Sequence, residues 1–406
     1  MESTSVTGRA LRIGIVTDGL QERIVDGEVR IANGGVGVYI YELIRHLLEI
    51  DSVNQYFLIR FGEGRLDIYR HARVQAVFLR RARVKNVLQA ALDLPYRRLA
   101  RELRLDLIHY TNQFGGAFLP RSLKRVATLH DLTPILFPQT HPRSRVIAYR
   151  LMARVSLRRC DRVIVHSLST RQDLVQGGFG GADKIVPIPS GVSPLFRPGV
   201  ESAGFAERYR LVRPFMLTVG VLEPRKNQVL LFEVLRRLRH AGHEIDLVII
   251  GREGWRWSNP LEGPEYSDLR PWVRILQDVS DNELVEFYGR AAVFAYPSIY
   301  EGFGLPVLEA MACGAPVVSS DASSLPEVGG AAVLYADPHD AAGFGAQVMR
   351  LLSEPELRQQ MIAAGLERAQ QFSWQRTAES TLRVYQAVCG RGQGGAAGAG
   401  TAGSGT

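Results

Sequence analysis

A chain of 406 residues exceeds what one ordinary hydrophobic core serves, so two domains of roughly 200 residues are expected. With 46% hydrophobic and 22% charged residues the composition is that of an ordinary globular protein, which argues against a disordered or low-complexity chain. No apolar run reaches about 18 residues, and no basic segment followed by an apolar core opens the chain, so neither a bilayer-spanning helix nor a secretory signal is expected.

Cys160, Cys313 and Cys389 are odd in number, far apart and without metal-ligand spacing, as in a reduced cytoplasmic protein. The formal charge of +8 is carried almost wholly by arginine, because lysine occurs only at Lys85, Lys124, Lys184 and Lys226. Arginine in place of lysine can reflect genomic base composition alone; a basic chain also suits phosphates, on a nucleotide or at an anionic membrane surface.

In chain order, strand-length apolar runs fall at 11–17, 56–61, 74–79, 106–110, 125–130, 162–167 and 184–189. Helical patterns lie between them, for instance at 37–49 and 143–159. Buried strands interleaved with helices predict a doubly wound parallel sheet. The stretch 190–213 is rich in Pro, Gly and Ser, and the series then restarts at 215–220, 246–251, 272–276, 293–297, 316–320 and 331–335. The expectation is an α/β protein of two Rossmann-like domains whose strand carboxyl ends face one cleft, where such sheets bind ligands. A last helix is expected from Ser373, a plausible N-cap, and the Gly/Ala/Ser tail beyond it has no side chains from which to build a core and is expected to be disordered.

The most informative segment is IYEGFGLPVLEAMACGAPVVSS. Glu301 and Gly302 follow a strand, Gly304 ends a short loop, and Pro306 suits a first helical turn. Such a loop lets backbone N–H groups approach a ligand, with the positive end of the helix beginning near Leu305 aimed at it. The plain alternative is a helix entry with a first-turn glutamate favoured by the dipole. A second strand–turn–helix unit, TVGVLEPRKNQVLLFEVL, carries Arg225 and Lys226 at its turn, and adjacent cations at a strand's carboxyl end fit a diphosphate better than a surface ion pair. Gly34, Gly35 and Gly37, after Asn33, precede an apolar helical pattern and are a weaker anion-loop signal, often just a turn. His130 closes a strand where site residues collect, although a lone histidine there is more often structural.

Together these motifs resemble the retaining glycosyltransferases of family 4, which have the GT-B fold. The resemblance runs from about residue 11 to 388. It rests on Glu301 and Glu309 with seven residues between them, and on GGVGVY (34–39), LHDL (129–132), IPSGVSPLF (188–196), VGVLEPRKN (219–227), VSDNEL (279–284), SSLPEVGG (323–330) and FSW (372–374). It implies an acceptor-binding domain over 1–195, a linker over 196–213, a nucleotide-sugar domain over 214–372, a helix over 373–389 returning to the first domain, and a disordered tail over 390–406. Arg225 and Lys226 would neutralise the leaving diphosphate, and Glu301 would hold sugar hydroxyls beside Gly302, Phe303, Gly304 and Leu305. Glu309 would bind the ribose, Gly34 and Gly35 would lie beneath the phosphates, His130 near the sugar O6 and the reaction centre, and Val279 at the base. Many members carry arginine where this chain has Val221, and Arg225 is the expected substitute.

No paired Asp-x-Asp motif occurs, so no metal or other cofactor is expected. LEPRKN, GREGW (251–255) and HDLTPILFPQTHP (130–142) look most like bacterial O-antigen and exopolysaccharide mannosyltransferases. That favours GDP-mannose over UDP- or dTDP-sugars as donor and a saccharide or lipid-linked oligosaccharide as acceptor. Arg150, Arg154 and Arg158, with Arg97, Arg98, Arg101 and Arg104, form either a basic surface for anionic lipid or a solvated helix face. Competing readings are weaker. A phosphorylase needs a cofactor-bearing lysine and an epimerase lacks an acceptor groove. A non-catalytic scaffold would have lost donor-site residues, and nucleic-acid binding lacks aromatic–basic interleaving.

Overall fold

The computed structural model describes residues 9–390 apart from 19, 21, 26–27, 32–33, 63–65, 67–68, 70, 80–93, 113–118, 142 and 255–256. Asn33, Lys85, part of the GREGW stretch and the Gly/Ala tail beyond 390 lie outside the described residues. The first sheet is built from β1 (Arg12–Val16), β4 (Gln55–Phe61), β5 (Val74–Leu79), β6 (Leu107–Tyr110), β7 (Lys124–Leu129), β8 (Arg162–Val165) and β9 (Ile185–Pro187). Its strand order is β5-β4-β1-β6-β7-β8-β9, with parallel pairing throughout. Between β1 and the helix Gly34–Ile50, an antiparallel hairpin of β2 (Glu22–Val25) and β3 (Glu28–Ile31) fills the insertion that separates the glycine loop from its strand.

The second sheet contains β10 (Phe215–Val219), β11 (Asp246–Ile250), β12 (Val273–Leu276), β13 (Val293–Tyr296), β14 (Val317–Ser320) and β15 (Leu334–Ala336). It runs β12-β11-β10-β13-β14-β15, again all parallel. Central strands such as β11 (DLVII) and β13 (VFAY) are buried along their whole length, the pattern required of a sheet covered by helices on both faces. The last strand starts later than its apolar run, because Gly330–Ala332 form a 3₁₀ turn first.

Residues 196–213 lie against the second domain: Phe205, in the short helix Phe205–Tyr209, is 1% exposed and packs among Phe287, Phe215 and Tyr209. The C-terminal helix Trp374–Val388, capped by the Ser373 side chain, belongs to the core of the first. Its Trp374, Ala378 and Tyr385 pack with Tyr39, Ile40 and Leu43 of the helix Gly34–Ile50. The Tyr385 hydroxyl meets His109 Nδ1 at 2.6 Å, and Thr377 Oγ1 donates to Pro189 O at 2.7 Å. The chain thus crosses between domains twice at one place, where Val192 and Ser373 bridge in parallel.

Candidate active site

The carboxyl edges of the two sheets face each other, and the loops after β7, β8, β10 and β13 meet there. Glu301, five residues past β13, is 7% exposed. Its Oε1 accepts from Lys226 Nζ at 2.6 Å, Ser298 Oγ at 2.6 Å and Tyr296 OH at 3.0 Å, while Oε2 pairs with Arg225 Nη1 at 3.1 Å. Burial alone would raise this carboxyl; the Lys226 and Arg225 cations and these hydrogen bonds overcome it and hold it at about 2. It is a carboxylate at every physiological pH.

Lys226 and Arg225 sit on a 3₁₀ turn, Pro224–Lys226, which follows β10 directly. The Lys226 ammonium also donates to Tyr296 OH at 2.6 Å, and burial pulls its pKa below the ordinary lysine value against the pull of Glu301. Arg225 is further committed: Nη1 donates to Tyr300 O and Nη2 to Glu223 Oε1, each at 2.5 Å. Its charge is therefore shared between Glu223 and Glu301.

The loop Glu301–Gly304 leads into the eight-residue helix Leu305–Ala312, and Gly304 takes a left-handed φ of 111° at its N-cap. Ser324 Oγ bonds to the carbonyls of Glu301 and Phe303 at 2.9 and 2.8 Å, and Ser323 Oγ accepts from Glu301 N at 2.7 Å, so the loop is held from behind. Glu309, one turn inside the helix, is half-buried and accepts from Tyr288 OH at 3.0 Å. Here burial wins over the Tyr288 hydrogen bond and lifts the carboxyl to about 7. Tyr288 belongs to the helix Asp281–Arg290, whose other end Ser280 and Glu283 close in a reciprocal capping box next to Val279.

The first domain closes onto this loop. A Cβ on Gly35 would stand 3.4 Å from Leu305 Cδ1, so the N-terminal turns of the helices Gly34–Ile50 and Leu305–Ala312 face each other. The positive ends of two helix dipoles thereby converge. The backbone carbonyl of His130 lies against Gly302. Glu327 accepts from Leu168 N and Ser169 N at 2.7 and 2.6 Å, capping the helix Leu168–Gln176 from the other domain. Tyr300 OH donates to Asp173 at 2.7 Å, and Thr170 Oγ1 donates to Gly302 O at 3.3 Å.

The imidazole of His130 is one member of a chain. Its Nε2 lies 2.8 Å from Thr111 O, and its Nδ1 lies 3.1 Å from His166 Nε2. Burial depresses both histidines, His166 to about 3, so both rings are neutral. A carbonyl only accepts, so His130 carries its proton on Nε2 and accepts at Nδ1 from His166 Nε2–H. His166 Nδ1 lies 3.3 Å from Ser190 Oγ and 3.4 Å from Ile188 O. Both nitrogens of His130 are engaged and the ring is no general base in this arrangement. The sequence carried a signal for His166. β7 and β8 pair with Leu129 opposite Val165, so the next residue on each strand is a histidine, and the ring centroids lie 5.0 Å apart. Tyr296, Ser298, Glu223 and Ser324 gave no comparable signal.

Two Rossmann-like domains closing on a cation–carboxylate cluster at the second sheet's edge define a GT-B protein. Residues 33–194 match the model of glycosyltransferase family 4, and residues 205–368 that of the group 1 glycosyl transferases. The O-antigen chain mannosyltransferase B of Escherichia coli is 33% identical over 368 residues, which is 87% of this chain and 96% of that protein. The chain belongs to the family 4, group 1 glycosyltransferases. Sucrose-phosphate synthase of Thermosynechococcus elongatus has the same fold, with a TM-score of 0.69 at 21% identity over 93% of this chain and 99% of that one. HepE of Anabaena, solved in complex with UDP and glucose, gives 0.67 at 16% identity over 93% of this chain and all of that one.

Proposed function

We propose that the protein is a retaining hexosyltransferase that moves mannose from GDP-mannose to a saccharide or lipid-linked oligosaccharide in polysaccharide assembly. One observation carries the choice of reaction: Lys226 and Arg225, both half-buried, form a cluster with the buried Glu301 at the loop that enters the helix Leu305–Ala312. A diphosphate leaving group develops charge as the glycosidic bond breaks, and fixed cations with helix N-termini stabilise that charge without reorganising. Retention follows if the acceptor attacks the face the diphosphate leaves, with the departing phosphate taking the acceptor proton. Glu301, already an ion-paired acceptor of three hydrogen bonds, suits sugar hydroxyls better than covalent attack. Glu309 would bind the ribose and Val279 border the base, with Gly34 and Gly35 beneath the phosphates. The reading needs no resident metal or other cofactor.

The mannose assignment is supported by the mannosyltransferase relative that aligns over nearly its whole length. The second reading, a UDP-sugar donor, is supported by the bound UDP and glucose of the Anabaena protein. Thermal unfolding with each donor separates them, because a ligand of the native state raises the melting temperature by mass action. GDP-mannose is expected to raise it by several degrees and UDP-glucose to leave it nearly unchanged; the reverse pattern selects the second reading, and no shift with any sugar nucleotide removes both.

We further propose contact with the cytoplasmic face of an anionic membrane. On the helix Arg143–Arg159, Arg143, Arg150, Arg154 and Arg158 are exposed, with Ile147 59% and Val155 41% exposed among them. Arg97, Arg98 and Arg101 are exposed on the helix Leu94–Glu102, followed by Arg104. Among the described residues no helix is long and apolar enough to cross a membrane, so contact would be interfacial. The protein should float with phosphatidylglycerol vesicles at low salt and be released at high salt; failure to float at low salt excludes the contact.

A further inference from the structure

The cations of the cluster are already matched by carboxylates. Arg225 and Lys226 bring two positive charges, and Glu223 and Glu301, paired with them at 2.5 to 3.1 Å, bring two negative ones. A nucleoside diphosphate adds negative charge to a site that is neutral by itself, and burying it needs positive charge from a further residue.

Arg252, two residues past the end of β11, is exposed, and its side chain has no hydrogen-bond or ion-pair partner among the described residues. Its loop is fastened to the loop after β10. Leu222 N donates to Arg252 O and Gly254 N to Leu222 O, both at 2.9 Å, which pairs Leu222 with Glu253 as in a parallel sheet. Side chains alternate in such a pairing. Leu222 is buried in the core with Leu231 and Phe232, so Arg252, Gly254 and Val221 take the opposite face. Contact agrees: Val221 Cγ1 lies 2.5 Å from where a Cβ on Gly254 would stand. The two loops touch along their backbones, since a Cβ on Gly251 would stand 1.9 Å from Gly220 O. The Lys226 ammonium lies 4.0 Å from the corresponding point on Gly220. Arg252 therefore follows directly on Gly251, whose backbone touches Gly220, and the Lys226 side chain ends beside that same Gly220.

We propose that Arg252 is a phosphate-binding residue of the donor site, supplying the unpaired guanidinium that meets the diphosphate of the sugar nucleotide. The proposal rests on the glycosyl-transfer reading given above. Calorimetric titration of the full chain with GDP and UDP, and with guanosine and uridine, tests it. Arg252→Gln is expected to weaken the diphosphate that the wild type binds by about tenfold or more, as loss of a charge-assisted contact does, and to flatten its salt dependence. Arg252→Lys should recover most of the loss. The side chain is exposed, so folding is not at stake. Diphosphate affinity in Arg252→Gln within about twofold of wild type overturns the proposal, as does an equal loss for diphosphate and nucleoside. A wild-type protein that binds neither diphosphate overturns the glycosyl-transfer reading itself, and the proposal with it.

Discussion

Lys226→Ala is expected to abolish transfer, by a factor of about 10³ or more, and to lower the stability of the second domain at the same time. The ammonium holds Glu301 Oε1 at 2.6 Å inside the protein, and its loss leaves that carboxylate with the Arg225 guanidinium at 3.1 Å, Ser298 and Tyr296. Removing one partner of a buried pair costs about 3–5 kcal/mol, mostly because the remaining charge is uncompensated; Arg225 keeps this case near the lower end. The two effects separate in the double variant Lys226→Ala with Glu301→Gln. Neutralising the stranded carboxylate should return much of the lost denaturation midpoint, while turnover stays absent because the leaving diphosphate still lacks its cation. Near-normal turnover in Lys226→Ala would sink the donor site proposed for it. A double variant no more stable than the single one would show that the stranded charge of Glu301 is not what destabilises it.

That coupling of chemistry to stability marks where sequence reasoning stops. The strands were legible because runs such as DLVIIG, RVIVHS and VFAYP are buried on both faces and bounded by turns, so pattern and environment agree. The hairpin of β2 and β3 was not, since ERIV and EVRI are short and lack the continuous apolar run of a sheet interior. At the site, Lys226 and Glu301 were visible as residue types at strand ends, but their pairing joins positions 75 residues apart and only the register of β10 with β13 brings it about. For the same reason Arg225 looked available to take over a charge missing at Val221, whereas it is occupied by Glu223 and Glu301. His166 was legible in principle, needing only the inference that β7 and β8 are neighbours in register.

Gly302→Ala is expected to reduce kcat/KM by about 10²-fold while leaving both domains folded, the effect of a misplacement of about 1 Å between groups that must act together. A Cβ at this position would stand 1.8 Å from the backbone O of His130, 2.9 Å from its carbonyl carbon and 3.2 Å from Asp131 Cβ. Gly302 is not among the residues with positive φ, so alanine suits its own backbone; the obstacle is entirely the other domain. A backbone carbonyl at the end of a central strand cannot swing aside as a side chain can, so the first domain has to withdraw. Withdrawal breaks the contacts that register the domains: Glu327 on the N–H groups of Leu168 and Ser169, Thr170 on Gly302 O, and Tyr300 on Asp173. Lys226, Glu301 and Glu309 all belong to the second domain, so the Lys226–Glu301 pair and the Tyr288–Glu309 hydrogen bond are kept. Nucleotide affinity should therefore change by no more than about threefold, well under 1 kcal/mol, while the defect falls on kcat and small-angle scattering reports a larger radius of gyration. Wild-type kcat/KM in Gly302→Ala would mean that the close contact of His130 with Gly302 has no part in the reaction. A defect confined to nucleotide affinity would place the role of Gly302 within its own loop instead of between the domains.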